Sequence, residues 1–393
     1  MILLSTFIIF FSSISIIGYG ILIKKILKID SSNSQSFGYL GILGFFALSL
    51  LSIFTHFFFP HNFLHNIIIL LFGIFLMIYF YKKKKVKLND FKLLIIISLI
   101  LIICIILSKN NEDFGYYHLP NSIHFHENKL EFGLGVINHG FKHISSLFHL
   151  NSIFILPIVN FYLVNLTNFL LLIFTCLYLV NNIFFRKNFL IYSKDLSFIG
   201  LLLILTKFSR LAEYGTDIFG QFIVLIIFIE YINYFFSLKK ESVKEFLITI
   251  FSLVGLALMT KVYYIVYYVL IIPIIFETYN KDIIKSSFLN KEVISIFLLP
   301  ILFVFFLNFS STGCLVYPLK ISCFSNLVPW ALDEKTLDVM ILNYEQWAKA
   351  GKGAGYELEN GEEYVKGVNW VGYWINNYFF TKVSDYLLLI FVI

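Results

Sequence analysis

From Phe91 to Leu107 the chain reads FKLLIIISLILIICIIL, and from Asn111 to Asn151 it reads NEDFGYYHLPNSIHFHENKLEFGLGVINHGFKHISSLFHLN. The first string is an apolar run of spanning length, since about 20 residues at about 1.5 Å each cross the hydrocarbon of a bilayer. The second opens with the adjacent acids Glu112 and Asp113. It also holds six of the nine histidines, His118, His124, His126, His139, His143 and His149. Polar chemistry therefore gathers where a membrane span ends. The whole chain has the same character: 59% of its 393 residues are hydrophobic and 14% charged, against about 25% charged in soluble domains. Its mean hydropathy is +0.83. These values predict an all-α polytopic membrane protein and exclude a soluble domain. The net charge of +6 lies mostly in short loops, where it orients helices, so no nucleic-acid partner is expected.

Towards the N-terminus, Ile2–Ile23 reads as the first span. Lys24, Lys25 and Lys28 follow the run instead of preceding it, which argues against a cleaved signal peptide and places the N-terminus outside. Phe37–Phe59, Leu64–Tyr81 and Phe91–Leu107 are the next three spans. Lys82, Lys83, Lys84, Lys85 and Lys87 mark the connection after the third as cytoplasmic, so residues 109–151 form an outer-face loop. Beyond it, spans are expected at Asn160–Phe184, Leu196–Leu205, Ile218–Phe236, Val243–Met259, Val262–Phe276 and Val293–Leu307. Basic residues fall on alternate connections: Arg186 and Lys187, then Lys239, Lys240 and Lys244, then Lys281 and Lys285. Ten spans fit one orientation. An eleventh would begin in the apolar run Tyr386–Ile393, which is too short to cross a bilayer by itself; it reads either as a helix cut short or as a segment that dips into the membrane. Residues 311–385 form a second outer segment. It holds all four tryptophans, and Thr336–Lys349 reads as a helix ended by Gly351, Gly353 and Gly355.

Three polar groups carry chemistry. Glu112 and Asp113 either cap a helix or supply a carboxylate for general-base or cation-holding work; the string GYYHLP that follows, with Tyr117 and His118, suits a pocket at headgroup level. RLAEYGTDIFGQ, residues 210–221, brings Arg210, Glu213 and Asp217 within about two helical turns on the same face of the membrane. They read either as ion pairs closed on themselves or as a phosphate ligand with a second acid. Lys261, beside Tyr263, Tyr264, Tyr267 and Tyr268, reads as a snorkelling loop lysine or as a phosphate and lipid contact. His139 and His143 have the i, i+4 spacing of one helix face, but no HExxH pattern accompanies them, and no metal site is assigned. A divalent cation beside Asp113 stays open. Cys104 and Cys176 lie within spans. Cys314 and Cys323, in the outer segment, are either a disulfide or two reduced thiols at the membrane edge.

Taken together, NEDFGYYHLP after a span, RLAEYGTD at the next outer turn, GLALMTK, and STGCLVYPLKISC after a further span resemble the GT-C class of integral-membrane glycosyltransferases, particularly its uncharacterised bacterial multi-pass branch. The resemblance covers about Phe91 to the C-terminus. Two departures stand out: three spans precede the loop-bearing unit where the class usually starts with one, and the large soluble C-terminal domain of some members is absent from these 393 residues, as it would be from a truncated chain. The resemblance implies sugar transfer from a polyprenyl-phosphate donor to a glycan, lipid or protein acceptor on the outer face of a bacterial inner or plasma membrane. Glu112 and Asp113 would match the acidic motif, with Asp113 as the base. Arg210, Lys261, His118 and Tyr117 would hold phosphate or lipid, and Glu213 or Asp217 would act as second acid or acceptor contact. The outer segment, with its tryptophans and Glu345, Glu357, Glu359, Glu362 and Glu363, would close over the acceptor. On these terms the domains are three N-terminal helices (1–90), a transmembrane unit (91–310) containing the catalytic loop, the second outer segment (311–385) and the terminal run (386–393). An O-antigen polymerase or ligase fits less well, because Arg186 and Arg210 are the only arginines. A lipid-linked sugar flippase would place its charges along a lane through the bilayer.

Overall fold

The computed structural model describes all residues except 1, 30–35, 83–87, 107–110, 160–162, 164, 187–188, 208–210, 212–214, 237–241, 279–280, 326, 350, 352–357, 359, 385–386 and 388–393. Among the described residues the chain is mostly helical and has no strand, and Cys314 and Cys323 form an isolated antiparallel bridge. Among the described residues eight helices are long and apolar enough to cross a membrane: α1 (Ile2–Ile26), α2 (Phe37–His56), α3 (Phe63–Lys82), α4 (Leu88–Ile106), α8 (Leu166–Phe184), α10 (Asp217–Phe236), α11 (Val243–Thr260) and α14 (Lys291–Thr312). Short helices α5 (Leu119–Glu127), α6 (Leu134–Ile137) and α7 (Ser146–Ile153) lie between α4 and α8. This is a multi-pass, all-α membrane protein.

Two of the ten expected spans, Leu196–Leu205 and Val262–Phe276, are not among these eight helices, each for a local reason. α9 (Ile191–Lys207) has 17 residues, about 26 Å of helix, and carries Lys194 and Asp195 in its first turns. Residues 262–277 form a 3-10 segment, Val262–Leu270, and then the seven-residue α12 (Ile271–Glu277), which contains Pro273; tight 3-10 geometry does not propagate well. The expected eleventh span falls, apart from Leu387, outside the described residues, as do Lys83, Lys84, Lys85 and Lys87.

The described residues divide into two compact units. Unit 1 is residues 1–131 and 143–307, and unit 2 is residues 132–142 and 308–393. In this division the three N-terminal helices belong to the same body as the loop-bearing helices, and residues 132–142 of the loop belong to unit 2.

Unit 1 is built by close helix approach. A methyl group on Gly18 of α1 would lie 1.9 Å from the Gly73 carbonyl oxygen of α3, and one on Gly44 of α2 would lie 2.0 Å from the Ile16 carbonyl oxygen of α1. Small residues let the three backbones touch, the usual device where lipid gives no hydrophobic drive for helices to associate. α2, α8 and α11 form the interior. α3 and α4 lie at its edge: only 33% and 28% of their spanning windows are buried, and they expose rows such as Leu64, Ile68, Leu71 and Phe75, and Ile96, Leu99, Ile100 and Ile103. In water such rows would drive association; against lipid tails they need no partner.

Ionic contacts mark one end of the bundle. Where α1 ends and α11 and α14 begin, Lys28 bonds Glu292 at 2.8 Å and Lys244 lies 3.6 Å from the same carboxylate. Beside α13 (Lys281–Phe288), a strongly amphipathic helix, this is the lysine-rich end. Deeper within the bundle, Arg186 makes a bidentate pair with Glu230 of α10, at 2.8 and 3.2 Å. The Tyr178 hydroxyl donates to the same carboxylate at 2.6 Å, and the Arg186 guanidinium lies 3.9 Å from the Phe189 ring centroid.

In unit 2, residues 132–142 are held to the end of α14 by Gly133 N–H donating to the Ser310 carbonyl at 2.7 Å and the Ser311 hydroxyl donating to the Phe141 carbonyl at 2.7 Å. Cys314 and Cys323 are joined by a disulfide, and Cys314, Leu332 and Leu337 form a small core. The helix expected at 336–349 is observed as α15 (Glu334–Ala348). The Asp333 carboxylate caps it, accepting from Thr336 N–H at 2.9 Å. α16 (Gly361–Val365) and α17 (Val371–Trp374) follow.

Candidate active site

Asp113 opens a five-residue π-turn, Phe114–His118, that runs directly into α5, whose first turn carries Pro120. π-turns are rare and recur at functional sites. Two bonds fix the Asp113 end of this turn: its N–H donates to Asn111 Oδ1 at 2.5 Å, and the Tyr117 hydroxyl donates to its Oδ2 at 3.2 Å. The Tyr117 ring is held in turn by His143, at 4.8 Å between centroids, and by Phe148, at 5.9 Å. Glu112, its neighbour, is exposed. Of the two adjacent acids, Asp113 is the one the fold positions.

His118 is 5% exposed, and its Nε2 is buried without a hydrogen-bond partner. Burial pushes its pKa down to about 4, while Asp113 and Asp217 pull it up and Lys261 pushes it further down. Asp113, Asp217 and Lys261 thus all act on one imidazole, although they come from positions 113, 217 and 261. The approach depends on Gly215, whose φ of +54° suits glycine; a methyl group there would lie 2.5 Å from His118 Cε1. The Gly215 carbonyl accepts from Asn168 Nδ2 at 3.0 Å, and Asn168 Oδ1 is buried without a partner.

Two residues beyond Gly215, Asp217 begins α10, and Lys261 Nζ bonds its Oδ1. Lys261 ends α11 in extended backbone, at the junction with the 3-10 segment. Both partners are partly open, at 47% and 29% side-chain exposure. Tyr264 packs on Gly220 of α10 and is buried, and Tyr263 beside it is exposed.

The structure therefore brings together Asp113, Tyr117, His118, Asp217 and Lys261, and leaves Glu112 at the rim. Arg210 and Glu213 lie outside the described residues. Buried as it is, His118 is neutral at pH 7, so it meets a ligand as a hydrogen-bonding ring and not as a countercharge. Asn111, Asn168 and Gly215 were not singled out from the sequence. Asn168 carries a weak signal, as an amide inside the apolar run LTNFLLLIF; Gly215 carries none that distinguishes it from other turn glycines.

The histidines expected on one helix face are separated. His139 begins a 3-10 turn in unit 2, where its Nε2 bonds the Tyr344 hydroxyl at 3.3 Å, and His143 belongs to unit 1. A different group forms in unit 1. His56, the last residue of α2, packs its ring 5.0 Å from that of His61, in the α2–α3 connection, and 5.1 Å from that of His149 of α7, and His65 stacks on His61 at 4.8 Å. His61 is bonded on both nitrogens, to Ser152 Oγ at 2.6 Å and the Ser52 carbonyl at 3.0 Å. Burial holds His61 and His149 well below the usual histidine range. Among the described residues no group of three or more His, Cys, Asp or Glu side chains is arranged to hold a metal. These rings pack on one another, and His56 Nδ1, His65 Nε2 and His149 Nε2 are, like His118 Nε2, buried without a hydrogen-bond partner.

The family described as "Domain of unknown function (DUF8201)" matches residues 1–393, and the chain belongs to it. No curated protein and no solved structure matches the chain.

Proposed function

We propose that this member of the DUF8201 family is a membrane glycosyltransferase of the GT-C type, moving a sugar from a polyprenyl-phosphate donor to an acceptor hydroxyl at the outer face, with inversion. One observation carries the reading: a positioned carboxylate, Asp113, and a cation, Lys261, converge from distant parts of the chain on a buried imidazole whose Nε2 has no protein partner. An unpartnered buried nitrogen costs about 1–3 kcal/mol, and a ligand oxygen would relieve that cost.

In this scheme Asp113 accepts the proton of the acceptor hydroxyl. The acceptor oxygen bonds to the anomeric carbon, the bond from that carbon to the phosphate oxygen breaks, and polyprenyl phosphate leaves with the electron pair. Lys261 faces the charge that grows on the phosphate, and Asp217 keeps the ammonium in place when no phosphate is bound. Tyr117 fixes the orientation of Asp113. A divalent cation, if the reaction uses one, would have Asp113 and Asp217 as its carboxylates. The two ion pairs of α10, Arg186 with Glu230 and Lys261 with Asp217, sit toward its two ends and not at its middle, which favours transfer over transport.

The test compares membranes carrying the wild-type protein with membranes carrying Asp113→Asn, supplied with the cell's own lipid-linked sugars. A glycosylated product made by the wild type and lost in the variant, with equal membrane insertion, supports the reading. Full activity in Asp113→Asn sinks it. Unchanged products with altered movement of the lipid-linked sugar across the bilayer would make the protein a transporter.

A further inference from the structure

Unit 2 contains a cavity of about 490 Å³, within the range of small-molecule sites. One wall is a single face of α15: Val339, Leu342, Asn343 and Gln346 are spaced i, i+3, i+4 and i+7. The opposite wall is Leu358, Asn360, Gly361, Glu362 and Glu363. The walls are tied together at one end. Lys349 Nζ donates to the Val365 carbonyl and the Tyr364 hydroxyl to the Lys349 carbonyl, both at 2.7 Å. Gln346, 2% exposed, accepts Leu358 N–H at 3.1 Å. A methyl group on Gly361 would lie 2.3 Å from Gln346 Nε2, so glycine is what lets the second wall approach that amide.

The lining has two chemistries in one space. Val339, Leu342 and Leu358 give aliphatic area without charge. The amides of Asn343 and Asn360 and the carboxylates of Glu362 and Glu363 give many acceptors and some donors, with no lysine or arginine among the described lining residues. Such a site repels phosphates and carboxylates. It suits a compact ligand with apolar C–H faces and a rim of hydroxyl donors. We propose that this cavity binds an uncharged or amino-bearing sugar unit. Trp347, half exposed and four residues beyond Asn343 on α15, gives an optical reporter next to it.

The inference deepens the transferase reading, on which it rests only for calling the bound sugar an acceptor; binding itself needs no chemistry at Asp113. The experiment uses the full chain in lipid nanodiscs and titrates it with glucose, galactose, N-acetylglucosamine and glucosamine, and separately with calcium and with oligolysine. Binding is followed by tryptophan fluorescence and calorimetry. One of the four sugars should bind saturably, and the Glu362→Gln/Glu363→Gln double variant and Asn343→Ala should each weaken it about tenfold or more, since each removes hydrogen-bond partners of the ligand. Asp113→Asn should leave binding unchanged. Unchanged melting temperatures and monodisperse particles show that the variants fold. Binding of calcium or oligolysine but of no sugar would overturn the proposal, and so would sugar binding insensitive to all three substitutions. Sugar binding that persists while the transfer assay fails would retain this site and discard the transferase reading.

Discussion

Helix α10 carries an ion pair near each end, and the two pairs differ in nearly every physical respect. Near its C-terminal end Glu230 meets Arg186, with side chains 9% and 5% exposed, two hydrogen bonds between them, a third from Tyr178 and an aromatic face over the guanidinium. At its first residue Asp217 meets Lys261 through one bond, with both partners partly open and an unpartnered imidazole within their field. The first pair is buried beyond a ligand's reach. The second is partly open and has capacity for one, because an ammonium has three donors and Asp217 takes one. Charge alone therefore does not mark a site in this bundle; accessible capacity does.

Removing one partner of the closed pair should have the largest effect. Glu230→Ala leaves a buried guanidinium without its carboxylate and should cost about 3–5 kcal/mol, read as a lower unfolding midpoint in detergent; an unchanged midpoint would place solvent at Arg186. At the other end, Lys261→Met should lower transfer by about 100- to 1000-fold, the scale of removing one electrostatic stabiliser of a developing anion, while stability moves by less than about 1 kcal/mol because the pair is partly exposed. A loss of stability as large as that of Glu230→Ala would make Lys261 structural and erase the contrast.

Acidification separates the ends as well. His118 has its pKa depressed to about 4 from about 6.5. Between those values the unfolded chain takes up a proton that the folded chain refuses, so the contribution is fully present above pH 6.5 and is lost as the pH falls to about 4. For one group it amounts to up to about 3 kcal/mol. His61 and His149 act in the same direction. Unfolding midpoints measured from pH 7.5 to 4.5 should fall, and His118→Asn should make the fall shallower by about one proton; an equal slope would mean that His118 is hydrated. The smallest change is expected of Tyr117→Phe, which removes one hydrogen bond to Asp113 and should reduce transfer several-fold, about 1 kcal/mol. A change in the pH profile of transfer without loss of melting temperature would show that Tyr117 acts through Asp113.

Much of the bundle could be read from the sequence, because lipid imposes length and apolarity on each helix separately. The span expected at Leu64–Tyr81 is Phe63–Lys82, and that expected at Val243–Met259 is Val243–Thr260. Reading failed where hydrogen-bond geometry decides the outcome, as in the 3-10 segment after Lys261, whose apolar composition does not separate it from an α-helix. It failed also where contacts join distant segments. Nothing in NEDFGYYHLP shows that Asp113 and Asp217 share an imidazole, and nothing in the spacing of His139 and His143 shows that a unit boundary separates them. The acids, the lysine and the cysteine pair were visible as residue types. Their partners were not, because Gly215 and Asn168 matter through position and not through chemistry.

The excursion at residues 132–142 has a consequence for anyone who would cut this protein. Unit 2 is assembled from two pieces of chain with residues 143–307 between them, so the polypeptide crosses between the units three times. A truncation after Leu307 would remove the Ser310 carbonyl and Ser311 hydroxyl that hold the excursion, leaving an eleven-residue orphan inside the loop that supplies Asp113. Unit 2 is therefore no detachable cassette. Swapping it between homologues would require transplanting both pieces at once, and a library of C-terminal deletions would disturb the loop that carries Asp113 as soon as it reached the last turn of α14.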